Sequence, residues 1–127
     1  MDSRLDTAVK YLCLVLPFPP SVNSIIACMG SRRVKTARHK AYLDDACRAI
    51  KQQPHDSITG AVHVNIMLGK PDKRKRDLDN HAKAVLDALV AMEVIEDDSL
   101  IEKLTLQWDS TVVGAMVEIE GWKNGMD

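Results

Sequence analysis

Between residues 62 and 90 the apolar residues change period. Val62, Val64, Ile66 and Leu68 alternate with His63, Asn65 and Met67, the period of two that lays one face of a β-strand on a core. Gly69-Lys70-Pro71 stops that run. Ala82, Val85, Leu86, Leu89 and Val90 then fall at i, i+3, i+4, i+7 and i+8, a single stripe along an α-helix. A half-buried strand followed by a one-faced helix must share a core with it. The charged stretch between them sits in the joining loop, and Asp79 is placed to cap the helix N-terminus.

The remaining elements follow from the same periods. Tyr11 to Leu16 is an apolar run that meets Pro17-Phe18-Pro19-Pro20, a buried strand entering a rigid extended segment. Residues 21–36 carry turn formers, and a loop is expected there, with one short strand near Arg33 to Lys35. From Ala37 onward Tyr42, Leu43, Ala46, Cys47 and Ile50 recur at helical spacing opposite Lys40, Asp44, Arg48 and Lys51, a helix that ends before Pro54. Two final strands, roughly 100–108 and 111–120, are expected as a hairpin joined near Asp109-Ser110. This order predicts an α+β domain, a two-layer sandwich with two main helices on one face of a mixed sheet. The 127 residues suffice for one domain, expected over 1–127 with 1–10 and 122–127 as flexible ends. Aromatics make up only 4% of the chain against 46% apolar residues overall, so aliphatic side chains must fill the core.

Charge is distributed unevenly, although the net value is only −1. Arg32, Arg33, Lys35, Arg38 and Lys40 form one basic segment without an acid. Lys70, Lys73, Arg74, Lys75 and Arg76 form a second, offset by Asp72. From Asp87 to Glu102 six carboxylates occur with no Lys or Arg between them. Two basic segments and one acidic segment suit a site that grips phosphate and binds a metal, and equally three solvated surfaces. No apolar run reaches the roughly 18 residues of a membrane span, and the N-terminus lacks an apolar signal core, so a cytoplasmic protein is expected. Cys13, Cys28 and Cys47 have no C-x-x-C spacing, and the four histidines show no H-x3-H pairing, which argues against structural zinc and for reduced thiols.

Four consecutive cations, Lys73 to Arg76, run directly into Asp77-Leu78-Asp79-Asn80. Asp77 and Asp79, two residues apart at a loop-to-helix junction, can converge on one hard cation, with Mg²⁺ or Mn²⁺ favoured by oxygen ligands. The plainer reading is a cap and a solvated acid. An EF-hand is excluded, because Ala82 stands where its glycine is required and Ala88 where its glutamate is. Lys73, Arg74, Lys75 and Arg76 grip phosphate or form a solvated loop. Asp97-Asp98 is a polar turn, or supplies a third carboxylate if the loop after residue 68 and the strand beginning near 99 share one end of the sheet. Lys83 pairs with Asp79 or Asp87 along its own helix, or neutralises charge on a phosphorane-like transition state.

Arg76-Asp77-Leu78-Asp79-Asn80, Lys83, Ala88-Leu89 and Asp97-Asp98, with the opening Leu16-Pro17-Phe18-Pro19-Pro20-Ser21-Val22-Asn23, resemble the signature of RusA-type Holliday junction resolvases over roughly residues 11 to 120. The resemblance implies a homodimeric, Mg²⁺-dependent endonuclease that cuts four-way DNA junctions by paired nicks. It implies metal-binding aspartates at Asp77, Asp79 and Asp98 and a catalytic lysine at Lys83. It also implies DNA contacts at Arg76 and in the N-terminal basic loop, which here contains Arg32, Arg33 and Lys35. His81 stands where an apolar residue is expected, and Cys28 to Arg33 lack the aromatics of some relatives. Other branched DNA as substrate, or a non-catalytic DNA-binding module, are the alternatives.

Overall fold

The computed structural model of the chain describes residues 10–22, 26–29 and 32–122, with the backbone alone for 26–29 and 32–35. The expected flexible ends therefore lie outside the described residues, except Lys10 and Trp122. Strand β1 (Tyr11–Leu16) is followed by β2 (Ile26–Met29), β3 (Arg32–Lys35), helix α1 (Ala37–Lys51) and β4 (Val62–Leu68). A 3-10 turn (Leu78–His81) then precedes helix α2 (Lys83–Ala91). A second 3-10 turn (Asp98–Leu100) leads into β5 (Ile101–Trp108), and β6 (Ala115–Gly121) closes the series.

The main sheet has four strands in the order β1-β6-β4-β5. β6 is antiparallel to both β1 and β4, while β5 is parallel to β4. The sheet is mixed and open, and helices α1 and α2 pack beside each other. This is the α+β sandwich that the order of periods predicts. Leu14 and Leu16 of β1, Val62, Val64, Ile66 and Leu68 of β4, and Ala115, Val117 and Ile119 of β6 are buried together. Tyr42, Ala46 and Ile50 of α1 and Ala84, Val85, Ala88 and Leu89 of α2 complete the core. Alternation thus sorts each inner strand into a buried and a half-exposed face.

Three local expectations are corrected. The final two strands do not form a hairpin, because β4 lies between them. β4 buries every second residue completely, and the central position with partners on both edges suits such a strand. Residues 26–29 form a second strand paired with 32–35 where only one short strand was expected. Ile26 to Met29 is apolar at nearly every position, so no alternation marks it. The helix expected from Asp79 begins instead at Lys83, and its N-cap, Ala82, makes no side-chain capping bond. His81 draws the preceding backbone into a tight turn: its buried ring donates from Nδ1 to the Pro19 carbonyl at 3.0 Å. The ring also packs against Phe18 and Trp108, with centroids 5.0 and 6.1 Å away.

α1 is anchored at both ends. The Thr36 hydroxyl accepts from the His39 amide at 3.2 Å, an N-cap that the sequence also supports. Just beyond the helix, Gln53 accepts from the Val15 N–H at 2.8 Å and donates to its carbonyl at 2.7 Å. One amide side chain thereby satisfies a stretch of the outer edge of β1. Among the described residues no helix is long and apolar enough to cross a membrane.

Candidate active site

β4 runs out at Leu68, and the chain needs fourteen residues, 69 to 82, before α2 starts. The first part of that connection is the basic segment. Asp72 sits inside it as an internal counter-ion: its Oδ2 accepts from Arg74 Nε at 3.0 Å and from Arg76 at 2.9 Å. The hydrogen bonds from Arg74, then those from Arg76, hold the Asp72 carboxyl well below the usual carboxylate range. Arg76 is the more enclosed of the pair and lies over the Phe18 ring, with Cζ 5.4 Å from its centroid. Lys73, Arg74 and Lys75 are exposed. Arg32, Arg33 and Lys35 fall on β3, in the two-stranded sheet.

Asp77 precedes the first 3-10 turn and Asp79 lies within it, both exposed to solvent. That turn packs against β5 and α2. Asp97 and Asp98 differ in role. Asp97 caps the second 3-10 turn, accepting from the Ser99 amide at 3.0 Å and also from the Ser99 hydroxyl. These bonds hold its carboxyl below the ordinary range. Asp98 is the first residue of the turn itself.

The two ends of the strand-helix-strand unit are not where a simple reading puts them. β4 and β5 are parallel with Val62 opposite Ile101 and Leu68 opposite Trp108. The loop after β4 and the start of β5 therefore lie at opposite ends of the sheet, against the stated condition for a third carboxylate. The long connection offsets this. His81 packs at the Trp108 end, whereas Lys83, two residues on, stretches its ammonium to 4.0 Å from Asp98.

Lys83 is the hub of the described charges. Its Nζ lies 3.0 Å from Asp87 Oδ1, one turn along α2. The hydrogen bond to Asp87 raises the Lys83 pKa above the ordinary lysine value, so the ammonium is kept charged. Asp87 Oδ2 in turn lies 3.6 Å from Nε2 of His39, which is buried on α1. Both partners went unassigned a site role in the sequence. His39 extends the Tyr42-Leu43-Ala46 stripe one turn back, and that spacing could have exposed it as an inward-facing polar residue.

Among the described residues no three His, Cys, Asp or Glu side chains stand close enough together to enclose an ion. The three aspartates expected from the sequence nevertheless suit one kind of cation. Asp77, Asp79 and Asp98 supply only oxygen and are accessible to water. Mg²⁺ retains several waters and takes few protein carboxylates, with substrate phosphate completing its shell. An open, oxygen-only donor set fits that behaviour and would not fit zinc.

The chain is thus a small α+β protein with an exposed basic loop leading into exposed carboxylates, and a lysine paired to Asp87. Residues 17–120 match the family model for endodeoxyribonuclease RusA, and the chain belongs to that family. A crossover junction endodeoxyribonuclease of Enterobacteria phage HK97 is 32% identical over 113 residues, covering 88% of each chain. Those of Escherichia coli K12 and of Shigella sonnei Ss046 are each 36% identical over 89 residues, 69% of this chain and 74% of theirs.

Proposed function

We propose that this chain is a single-domain, structure-selective endodeoxyribonuclease that resolves four-way DNA junctions by hydrolysing phosphodiesters in opposed strands. The carrying observation is the placement of Lys83. A cation at the first residue of a helix opposes the helix macrodipole, and α2 begins at Lys83. Electrostatics of the helix alone would not put a lysine there. Its ammonium is held between two carboxylates, 3.0 Å from Asp87 and 4.0 Å from Asp98. Local rules are broken in this way where a site demands it.

On this reading Asp77, Asp79 and Asp98 hold Mg²⁺, with Mn²⁺ as a substitute. When bound, the ion supplies Lewis-acid polarisation of the phosphate and a more acidic water. The chain's own residues do the rest. Lys73, Arg74, Lys75 and Arg76 draw the DNA backbone across the mouth of the carboxylates, aided by Arg32, Arg33 and Lys35 on β3. Lys83 presents a fixed positive charge to the oxygens of the scissile phosphate, whose charge grows in the transition state. Asp97 stays with Ser99 and shapes the turn that carries Asp98.

A four-way junction has two-fold symmetry, and one domain offers one such site. Paired nicks therefore call for a homodimer, as one isologous pair of protomers matches that symmetry. The protein acts in the cytoplasm, where its branched DNA substrate resides. Incubation with a synthetic four-way junction, a flap and a matched linear duplex, with and without Mg²⁺, tests the proposal. Symmetric nicks in the junction alone, dependent on Mg²⁺, are the expected result. Binding without cleavage under all conditions would overturn it in favour of a DNA-binding module, and preferential flap cleavage would replace the substrate.

A further inference from the structure

Resting on the nuclease reading of Lys83, we infer that Asp87 is a positioning residue: packed beside the buried His39, it aims the Lys83 ammonium at the reacting phosphate. Asp87 touches neither the DNA nor the ion in this role. It acts through Lys83.

The Asp87 side chain is only 18% exposed, and its two oxygens face different partners. Oδ1 takes Lys83 Nζ at 3.0 Å, and Oδ2 faces His39 Nε2 at 3.6 Å, with the histidine 1% exposed. Withdrawing a carboxylate from water costs free energy unless its partners compensate. Stability is a poor reason for this arrangement. Cation before anion is the weaker orientation of an i, i+4 helix pair, and the lysine already opposes the helix dipole.

Aim is the better reason. A lysine stem has four rotatable bonds, and an ammonium held only by water samples many directions. In the described structure Lys83 makes its shorter contact to Asp87 and its longer one, 4.0 Å, to Asp98. Asp87 is thus the anchor, and the side of the ammonium toward Asp98 remains available. Behind Asp87 stands α1, with the buried His39 ring 3.6 Å from its second oxygen. Rigid support from a second residue is what keeps a catalytic group within the fraction of an ångström that chemistry requires.

The test is Asp87→Asn in the full chain, with Asp87→Ser as a second variant should the first fail to fold. Either should slow single-turnover junction cleavage by roughly 10–100-fold, the range for losing a partner that orients a site group. Junction affinity and Mn²⁺ affinity should stay at wild-type values. Lys83→Ala combined with Asp87→Asn should be no slower than Lys83→Ala alone, because the two act through one group. Asp87→Glu, which keeps a carboxylate within reach, should recover part of the rate. Independently of activity, ¹³C relaxation of the Lys83 side chain should show an ordered Cε in wild type and a mobile one in Asp87→Asn. Wild-type cleavage by Asp87→Asn, additive losses in the double variant, or equal Lys83 order in both proteins would each overturn the inference. A drop in Mn²⁺ affinity would also do so, since it would make Asp87 a ligand. A wild-type protein that cuts no junction would sink the nuclease reading alone, and the relaxation experiment would still decide whether Asp87 holds Lys83.

Discussion

Lys83 Nζ lies 4.0 Å from the Asp98 carboxylate, although the strand that follows Asp98 starts at the opposite end of the sheet from the loop that precedes Lys83. The helix that carries Lys83 packs against the turn that carries Asp98, and the lysine side chain spans the remaining gap. The proposed site would therefore be assembled across the strand-helix-strand unit rather than at one edge of it, and the contacts around Lys83 can be removed one at a time.

Removing the ammonium is the most direct of these. Lys83→Ala should lower the single-turnover cleavage rate by about 10² or more, as loss of a preorganised electrostatic donor does. Folding stability should fall by about 1–2 kcal/mol, since the change leaves the Asp87 carboxylate, 18% exposed, without its ammonium. Rapid-quench cleavage together with urea denaturation measures both. Wild-type rates would reduce Lys83 to a helix-surface ion pair.

Neighbouring acids should separate sharply. Asp77→Asn, Asp79→Asn and Asp98→Asn should each abolish cleavage while junction binding persists, as the proposed metal-binding role of these carboxylates requires. Asp97→Asn should be milder, because Asp97 is occupied in capping its turn through Ser99. An amide retains the acceptor oxygen for that cap. Gel-shift and cleavage assays on the four variants give the ranking, and a more damaging change at Asp97 than at Asp98 would reverse the assignment.

Salt dependence should distinguish the residues of the basic loop. Lys73→Gln and Lys75→Gln should each reduce the log–log slope of junction affinity against salt by about 0.9, one phosphate contact apiece. Asp72→Asn should strengthen binding at low salt, because it releases Arg74 and Arg76 from their internal counter-ion. Fluorescence anisotropy across a salt series reads the slopes. Unchanged slopes in a variant with both lysines neutralised would place the DNA elsewhere on the surface.

His81 should prove structural. His81→Ala removes a buried ring from between Phe18 and Trp108 and strands the Pro19 carbonyl, at a cost on the order of 2–3 kcal/mol. His81→Phe refills the space and should lose only about 1 kcal/mol for the missing hydrogen bond. Chemical denaturation of both variants checks the difference, and equal losses would show that packing contributes nothing there.

These contacts also mark where the sequence is readable. Period-two and period-3.6 patterns locate β4, α1 and the body of α2, because burial of one face leaves a regular trace. Lys83, Asp98 and the basic run stand out in the sequence as candidates for chemistry, since charged residues cluster where a core has no use for them. The order of strands is not legible. β5 and β6 follow each other in sequence and read as a hairpin, and only the competition for the edges of β4 separates them. The true start of α2 is hidden for a related reason: a long-range bond from His81 to Pro19, 62 residues away, overrides the local capping preference of Asp79. His39 is not legible as a partner of the site, because a histidine on an apolar stripe resembles any core position until its neighbour across the helix pair is known.

The insertion of β6 between β1 and β4 has a consequence for synthesis. Tyr11 pairs with Glu120 and Leu68 with Ala115, so no two-stranded piece of the main sheet except β4 with β5 can form before residue 121 has left the ribosome. Until then the nascent chain carries β1 with no partner and β4 with one bare edge, the kind of surface that recruits other chains. At translation speeds of about 5–20 residues per second, that exposure lasts for seconds. It ends when one late segment slots between two early ones and completes the four-stranded sheet.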